Sequence, residues 1–337
     1  MNHLKLKTNL LISIVPLFFV LLTNCRVDPN PKGSLFDPRT PLGLLNSIIS
    51  YDFLKNGSTR NWIGFSTAFA SSNPSDTTSF DRLNQTTYAL SVRSSNITSN
   101  IYSSADGLNY TQLGVTINNT NTNIFSAFNT RIQLSNYNTL DNGASWNANA
   151  LVSGFCMVKD SGTSAYILGD NFVDRTIDSG NSINQITASP AYPSRFSSVC
   201  SYANGKIYLI GGQKTNSYLY DLWESSDGIN WSSVSLGVKP TSNSGFHRPC
   251  DIVNQSDTVG ILGFVTSDVT EYRFHVVFNN LALLQSNDGK NWKCTNPSVN
   301  YQSEFTSITN RVVLIGNRLF VYGFSTNGLQ NVYTDLE

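Results

Sequence analysis

One short signature recurs along the chain and sets what it can fold into. Asp106-Gly107-Leu108-Asn109-Tyr110, Asp227-Gly228-Ile229-Asn230-Trp231 and Asp288-Gly289-Lys290-Asn291-Trp292 share an Asp, a Gly and an aromatic at fixed offsets. Asp141-Asn142-Gly143-Ala144-Ser145-Trp146 carries one inserted residue, and Asp178-Ser179-Gly180-Asn181-Ser182-Ile183 copies that longer form without the aromatic. The five aspartates follow one another at separations of 35, 37, 49 and 61 residues, each after a run rich in β-branched and aromatic residues. In such a turn the Asp bonds back to turn amides, the Gly takes the left-handed corner and the aromatic covers the hairpin. Five turns of one kind predict five copies of one supersecondary unit.

The fullest copy, residues 193–234, reads as four short strands. Phe196–Tyr202 turns at Asn204-Gly205 into Lys206–Ile210, and Tyr218–Ser225 turns at Asp227-Gly228 into Asn230–Val234. Asn-Gly and Asp-Gly favour two-residue hairpin turns because both central positions need positive φ. The last copy is incomplete: residues 305–323 supply two strands around Gly316-Asn317, Asn331–Asp335 starts a third, and the chain stops there. An N-terminal segment must supply the missing outer strand, and Leu42–Phe53 (LGLLNSIISYDF) is the expected donor. At roughly 50 residues per unit the segment 42–337 holds six. The expected fold is an all-β propeller of six four-stranded blades, closed by an N-terminal strand that completes the C-terminal blade. Closure removes the exposed edge an open array would leave. A β-sandwich and a β-helix are the alternatives.

Residues 193–234 resemble a kelch repeat, with Arg195 near the start, IYLIGG before the long connection, then DLW and a closing Trp231. The five Asp turns also resemble the Asp-box hairpins of sialidase-like propellers. That second resemblance implies a central-channel site built from an arginine cluster, a Tyr–Glu pair and an Asp. Arg195 and Arg248 at the start of first strands, and Tyr301 with Glu304, are the residues that could correspond. Phe246-His247-Arg248-Pro249 departs from the spacing of the sialidase motif, and kelch units carry an Arg at the position of Arg195 for structural reasons.

The N-terminus reads as an address. Lys5 and Lys7 precede an apolar run from Leu10 to Leu22, too short for a comfortable transmembrane helix. It ends in Leu22-Thr23-Asn24-Cys25, which resembles the relaxed lipobox of spirochaete lipoproteins, with Asn24 where Gly, Ala or Ser is usual. The expectation is a signal peptide over 1–24, a lipidated Cys25 heading a proline-rich tether over 25–41, and a propeller over 42–337. Arg26, rather than an Asp, follows the cysteine, which points toward the outer membrane, periplasmic or surface face undecided.

The chain has five cysteines, so lipidation of Cys25 leaves an even four, suited to an oxidising compartment. Cys156, Cys200 and Cys250 are placed in first strands, and Cys294 in a fourth. Four cysteines allow three pairings; Cys200–Cys250, at matching positions of neighbouring blades, is geometrically feasible, and free buried thiols are the alternative.

Chemistry-bearing motifs are few. Lys and Arg total 22, as do Asp and Glu, so the net charge is zero, which argues against nucleic acid as a partner. No nucleophile elbow, phosphate loop or zinc spacing is present, so no cofactor or metal is expected. Asp170, Asn171, Asp174 and Asp178 offer oxygens to a cation but match no loop pattern and read as solvated turns. The reading that remains is a monomeric binding or scaffold module for an unidentified protein or glycan. Its candidate face comprises Arg195, His247, Arg248 and an excursion over 264–285. A carbohydrate-active enzyme and a purely structural envelope protein are the alternatives.

Overall fold

Val199–Ala203 and Lys206–Ile210 pair antiparallel across Asn204-Gly205, with Ala203 opposite Lys206, and Asn204 at φ 53° and Gly205 at φ 71° take the left-handed corner. Leu222–Ser225 and Ser232–Val234 extend this hairpin into a four-stranded meander. The computed structural model describes residues 59–60, 62–65, 67, 77–93, 98–118, 125–134, 137–148, 153–215, 217–219, 221–234, 261–268, 270–278, 281–297, 312–322 and 331–336. No helix of the described residues is long and apolar enough to cross a membrane.

Six such meanders follow in chain order. Blade 1 is Thr77–Leu83, Thr86–Arg93, Thr98–Ser104 and Thr111–Asn118. Blade 2 has very short strands: Phe125–Ala127, Ile132–Leu134, Tyr137–Thr139 and Asn147–Ala148. Blade 3 is Cys156–Lys159, Ala165–Leu168, Val173–Thr176 and Asn184–Thr187. Blade 4 is the 199–234 meander, with a small extra hairpin, Gln213–Lys214 against Ser217–Tyr218, between its second and third strands. Blade 5 is Ile261–Thr266, Phe274–Phe278, Leu283–Ser286 and Lys293–Pro297. Blade 6 is Val312–Ile315, Arg318–Tyr322, Asn331–Asp335 and an N-terminal strand.

First strands adjoin between blades 1 and 2, 3 and 4, 4 and 5, 5 and 6, and 6 and 1, and Lys159 of blade 3 bonds Ala127 O of blade 2, so the ring is closed. The expected six-bladed propeller is what the chain forms, and every Asp turn sits between the third and fourth strands of its blade, as read from the sequence.

The closing strand differs from the expected donor. Ile63–Phe65 pairs with Asn331–Asp335 (Ile63 opposite Tyr333, Phe65 opposite Asn331), while Leu42–Phe53 lies outside the described residues. Two aromatics on opposite faces hold this three-residue strand. Trp62 is buried in the core between blades 5 and 6, and Phe65 makes edge contacts with Phe320, Tyr322 and Tyr333 at 5.6–5.8 Å. Just upstream, Thr59–Arg60 adds a parallel fifth strand to the outer edge of blade 5.

The segment 264–285 is likewise not an excursion. It contains the second and third strands of blade 5, and Phe274, His275, Val276, Val277 and Phe278 are all buried. A strand buried on both faces shows no alternation, which is why the run FHVVF has no strand signature.

Apolar seams bind the blades unequally. Blades 4 and 5 share Tyr208, Ile210, Phe264, Phe274 and Leu284, and blades 6 and 1 share Phe320, Tyr322, Phe80 and Tyr102. Among the described residues blade 3 also carries a small cluster of its own, Ile167 with Met157 and Ile183 partly buried against it.

Candidate functional site

The Asp turns are built around a carboxylate hub. In the tight form, Ser225 Oγ donates to Asp227 Oδ1 (3.0 Å) and accepts the Gly228 N–H (2.9 Å). Asp227 Oδ1 accepts the N–H groups of Ile229 and Asn230 at 2.8 Å, and Oδ2 accepts the Asn230 amide at 2.8 Å. Asp106 with Ser104 and Asn109, and Asp288 with Ser286 and Asn291, repeat this set. In the expanded form a threonine replaces the leading serine and a serine replaces the asparagine. Thr139 Oγ1 donates to Asp141 Oδ1 (2.6 Å), and Ser145 closes the loop through its N–H (2.9 Å) and Oγ (2.6 Å). Asp178 with Thr176 and Ser182 matches it.

These donors stabilise the ionised carboxylates. The Asn230 N–H, foremost, holds Asp227 at about 2, and the Ser145 hydroxyl does the same for Asp141, also about 2. Asp106, Asp178 and Asp288 are lowered in the same way, each first by a backbone N–H three or four residues on.

Each turn glycine meets the preceding blade. A Cβ at Gly228 would lie 2.9 Å from the Tyr166 ring of blade 3, and one at Gly107 would lie 2.9 Å from Phe320 of blade 6. Gly289 faces Tyr208 of blade 4 at 3.8 Å, and Gly180 faces Gln133 of blade 2 at 3.2 Å. A residue of the second strand of the preceding blade is among the nearest contacts in these four cases, joined at Gly228 by Ile186 and at Gly107 by Ile315. In the tight turns the glycine carbonyl is also capped. Trp231 Nε1 donates to Gly228 O at 2.9 Å and Trp292 Nε1 to Gly289 O at 3.2 Å. In blade 1 Tyr322 donates to Gly107 O (2.8 Å) and therefore accepts the hydroxyl of Tyr110 (2.8 Å). Burial pushes both phenols well above their ordinary range. The Asp, Gly and aromatic positions of the signature thus serve blade-to-blade joints.

Arg195 does not belong to a binding face. It is 1 % exposed, and its guanidinium grips Asp221 through two 2.7 Å bonds. It also donates to Pro193 O (2.9 Å) and Gly211 O (3.0 Å). Trp223 Nε1 adds a third bond to Asp221 at 2.7 Å. Four of the guanidinium's five N–H groups are thus committed to acceptors of its own blade, and its burial keeps it from a ligand-facing surface. His247, Arg248, Tyr301 and Glu304 lie outside the described residues, as does Cys25.

The Cys200–Cys250 pairing is also replaced. Cys200 is bonded to Cys156, with Cα atoms 6.1 Å apart, so the bridge ties the first strand of blade 4 backward to that of blade 3. Cys250 lies outside the described residues, and the first strand of blade 5 is described from Ile261.

Three charged residues not singled out in the sequence link first strands on the Asp-turn side. Lys159, from blade 3, donates to Asp81 Oδ2 and Arg82 O of blade 1 and to Ala127 O of blade 2, each at 2.7 Å. Asp81 Oδ2 also accepts Ser126 Oγ (2.9 Å) and the Ala127 N–H (2.7 Å). Arg82 then donates to Leu314 O of blade 6 at 2.7 Å. The only signal in sequence is Lys159 and the adjacent Asp81-Arg82 near the ends of their first strands.

Other arginines are engaged locally: Arg175 with Asp160 (3.0 Å), Arg273 with Asp268 (3.3 Å) and Arg318 with Asp335 (2.8 Å). Asp170 accepts Ser194 Oγ and the Arg195 N–H at 2.6 Å, and Asp174 sits mid-strand with its carboxyl raised by burial. Among the described residues no His/Cys/Asp/Glu group is arranged to hold a metal.

No protein-family model and no curated protein sequence matches the chain. Among solved structures, YCF48 bound to D1 peptide is similar at 13 % identity and TM-score 0.47, covering 77 % of this chain and 76 % of that one. The structure of YjhT is similar at 12 % identity and TM-score 0.48, covering 79 % of this chain and 95 % of that one. At such values the likeness says nothing of ligand or role, and the six-bladed ring stands on the strand pairing above.

Proposed function

We propose that the chain is an exported, lipid-anchored propeller of the bacterial envelope, carrying Asp-box and kelch-like repeats, that acts as a binding or scaffold module. Cys25 carries the lipid, residues 26–41 act as the tether, and the outer membrane is the address. The supporting observation is the Cys156–Cys200 bridge. A disulfide between innermost strands belongs to an oxidising compartment, which agrees with the export signal read at 1–24. Buried acyl chains contribute about 0.8 kcal/mol per CH₂, so a multiply acylated cysteine anchors firmly.

The binding role follows from how the charges are used. Lys159, Asp81 and Arg82 are consumed in bonds between blades and Arg195 in bonds within blade 4, leaving a rigid frame whose ligand is met by its connecting segments. The face opposite the Asp turns is the working face, and a protein or glycan is the ligand class.

Metabolic labelling with a palmitate analogue followed by membrane fractionation tests the anchor. Wild-type chain is expected to carry label and sediment with membranes, and Cys25→Ala to lose both. Label retained in Cys25→Ala, or an unlabelled soluble wild type, would overturn it.

A further inference from the structure

We propose that Asn204-Gly205 is a site of spontaneous succinimide-mediated deamidation, promoted by Arg273 from the next blade. Among the described residues two Asn-Gly sequences occur, and the fold treats them oppositely. Asn204 and Gly205 are both exposed at the tip of the first hairpin of blade 4, and no atom lies within 4 Å of where a Gly205 Cβ would stand. No hydrogen bond holds the Gly205 N–H among the described residues. Asn142-Gly143 belongs to an Asp turn: Gly143 is buried and its N–H is bonded to Thr139 Oγ1 at 2.9 Å. The three Asp-Gly turns lock their glycine N–H groups on Ser104, Ser225 and Ser286 in the same way.

A second observation concerns the electrophile. Arg273, in the connection between the first two strands of blade 5, donates Nη1–H to Asn204 Oδ1 across the blade seam. Its other terminal nitrogen pairs with Asp268 at 3.3 Å, and its backbone N–H is held by Asn287 Oδ1 at 3.1 Å. A guanidinium on the amide oxygen withdraws electron density from Cγ and stabilises the oxyanion that forms there. The Gly205 nitrogen gives its proton to solvent base and bonds to Asn204 Cγ. The tetrahedral oxyanion on Oδ1 collapses, and the Cγ–Nδ2 bond breaks, with Nδ2 leaving as ammonia after protonation by water. Water then opens the succinimide at either carbonyl, leaving an aspartyl or an isoaspartyl residue. The aspartyl product turns a neutral contact between blades 4 and 5 into an ion pair with Arg273. The isoaspartyl product instead adds a methylene to the hairpin backbone and withdraws the register from Ala203 and Lys206.

The test is peptide mapping by mass spectrometry of the folded full-length chain in detergent, sampled over weeks at mildly alkaline pH. Asn204 is expected to gain the mass of one deamidation, split into aspartyl and isoaspartyl peptides separable by retention. Asn142 is expected to react roughly tenfold more slowly or less, the factor that one hydrogen bond to be broken makes in a barrier. Arg273→Gln should slow the reaction at Asn204 several-fold, Arg273→Lys should restore part of the rate, and Asn204→Gln should abolish it. An Asn204 rate at or below that of Asn142 in the folded chain would overturn the proposal. A rate unchanged in Arg273→Gln would overturn the part given to Arg273.

Discussion

The tight Asp turns of blades 1, 4 and 5 and the expanded ones of blades 2 and 3 share a hub and differ in what surrounds it. In both, a hydroxyl two residues before the Asp accepts the glycine N–H, and the carboxylate gathers the following donors. In the tight turns an indole or phenol then caps the glycine carbonyl, and the glycine packs on an aromatic of the preceding blade. In the expanded turns that cap is missing. Trp146 Nε1 is buried with no partner among the described residues, Ile183 stands where the next aromatic would be, and Gly180 rests on Gln133. The hub makes the turn; the aromatic and its receiving partner make the joint. The tight turns are therefore joined to the preceding blade through rings and capped carbonyls; of the expanded turns, that of blade 3 meets Gln133, with the Lys159–Asp81 bond nearby, and that of blade 2 lies at an apolar cluster that includes Trp146.

Glycine substitution breaks this comparison most sharply. Gly228→Ala puts an L residue at φ 77° and a Cβ 2.9 Å from the Tyr166 ring. Left-handed strain and overpacking together should cost about 3 kcal/mol in urea unfolding. Gly180→Ala carries the same kind of strain at φ 82° but meets only the end of Gln133 at 3.2 Å, so about 1–2 kcal/mol is expected. Equal losses would mean that the two turns pack alike.

A smaller effect separates the tryptophans. Trp231→Phe leaves Gly228 O without its donor, whereas Trp146→Phe removes an N–H that has no partner among the described residues. The first should destabilise by about 1–2 kcal/mol more than the second. Trp146→Phe proving the costlier would contradict the role given to the cap.

The pH response should be the least able to tell the turns apart, because the hub is common. Asp227 and Asp141 both titrate at about 2 in the folded chain, below the roughly 3.9 of an unfolded Asp. Folded values below unfolded ones give stabilisation that is complete above about pH 4 and lost as pH falls toward 2. Urea midpoints should drop across that window, and Asp227→Asn and Asp141→Asn should each flatten the drop. A midpoint independent of pH between 5 and 2 would show that the carboxylates are not held as described.

Reading the sequence found the turns because their chemistry is local. Asp, Gly and the donors lie within five residues, so their spacing carries the signal, and the unfinished last unit followed from it. What it missed depends on distant partners. Ile63–Phe65 is too short for a periodicity, and only Trp62 and Phe65, three apart, mark its two anchored faces. The apolar run 42–53 was the more conspicuous donor. Arg195 reads as a ligand-facing cation until Asp221, 26 residues on, is seen to close around it. Cys156 and Cys200 meet because first strands of neighbouring blades converge, and cysteine count alone could not choose that pairing.

The most direct test of the account is a non-reducing peptide map of the chain recovered from the cell envelope, read by mass spectrometry. The expected result is a Cys156–Cys200 cross-linked peptide together with a mature N-terminus at an acylated Cys25. Free thiols at both positions, or either cysteine bridged to Cys250 or Cys294, would contradict the blade order that places 156 beside 200. A chain retaining Met1 would contradict the export and anchoring proposed for it.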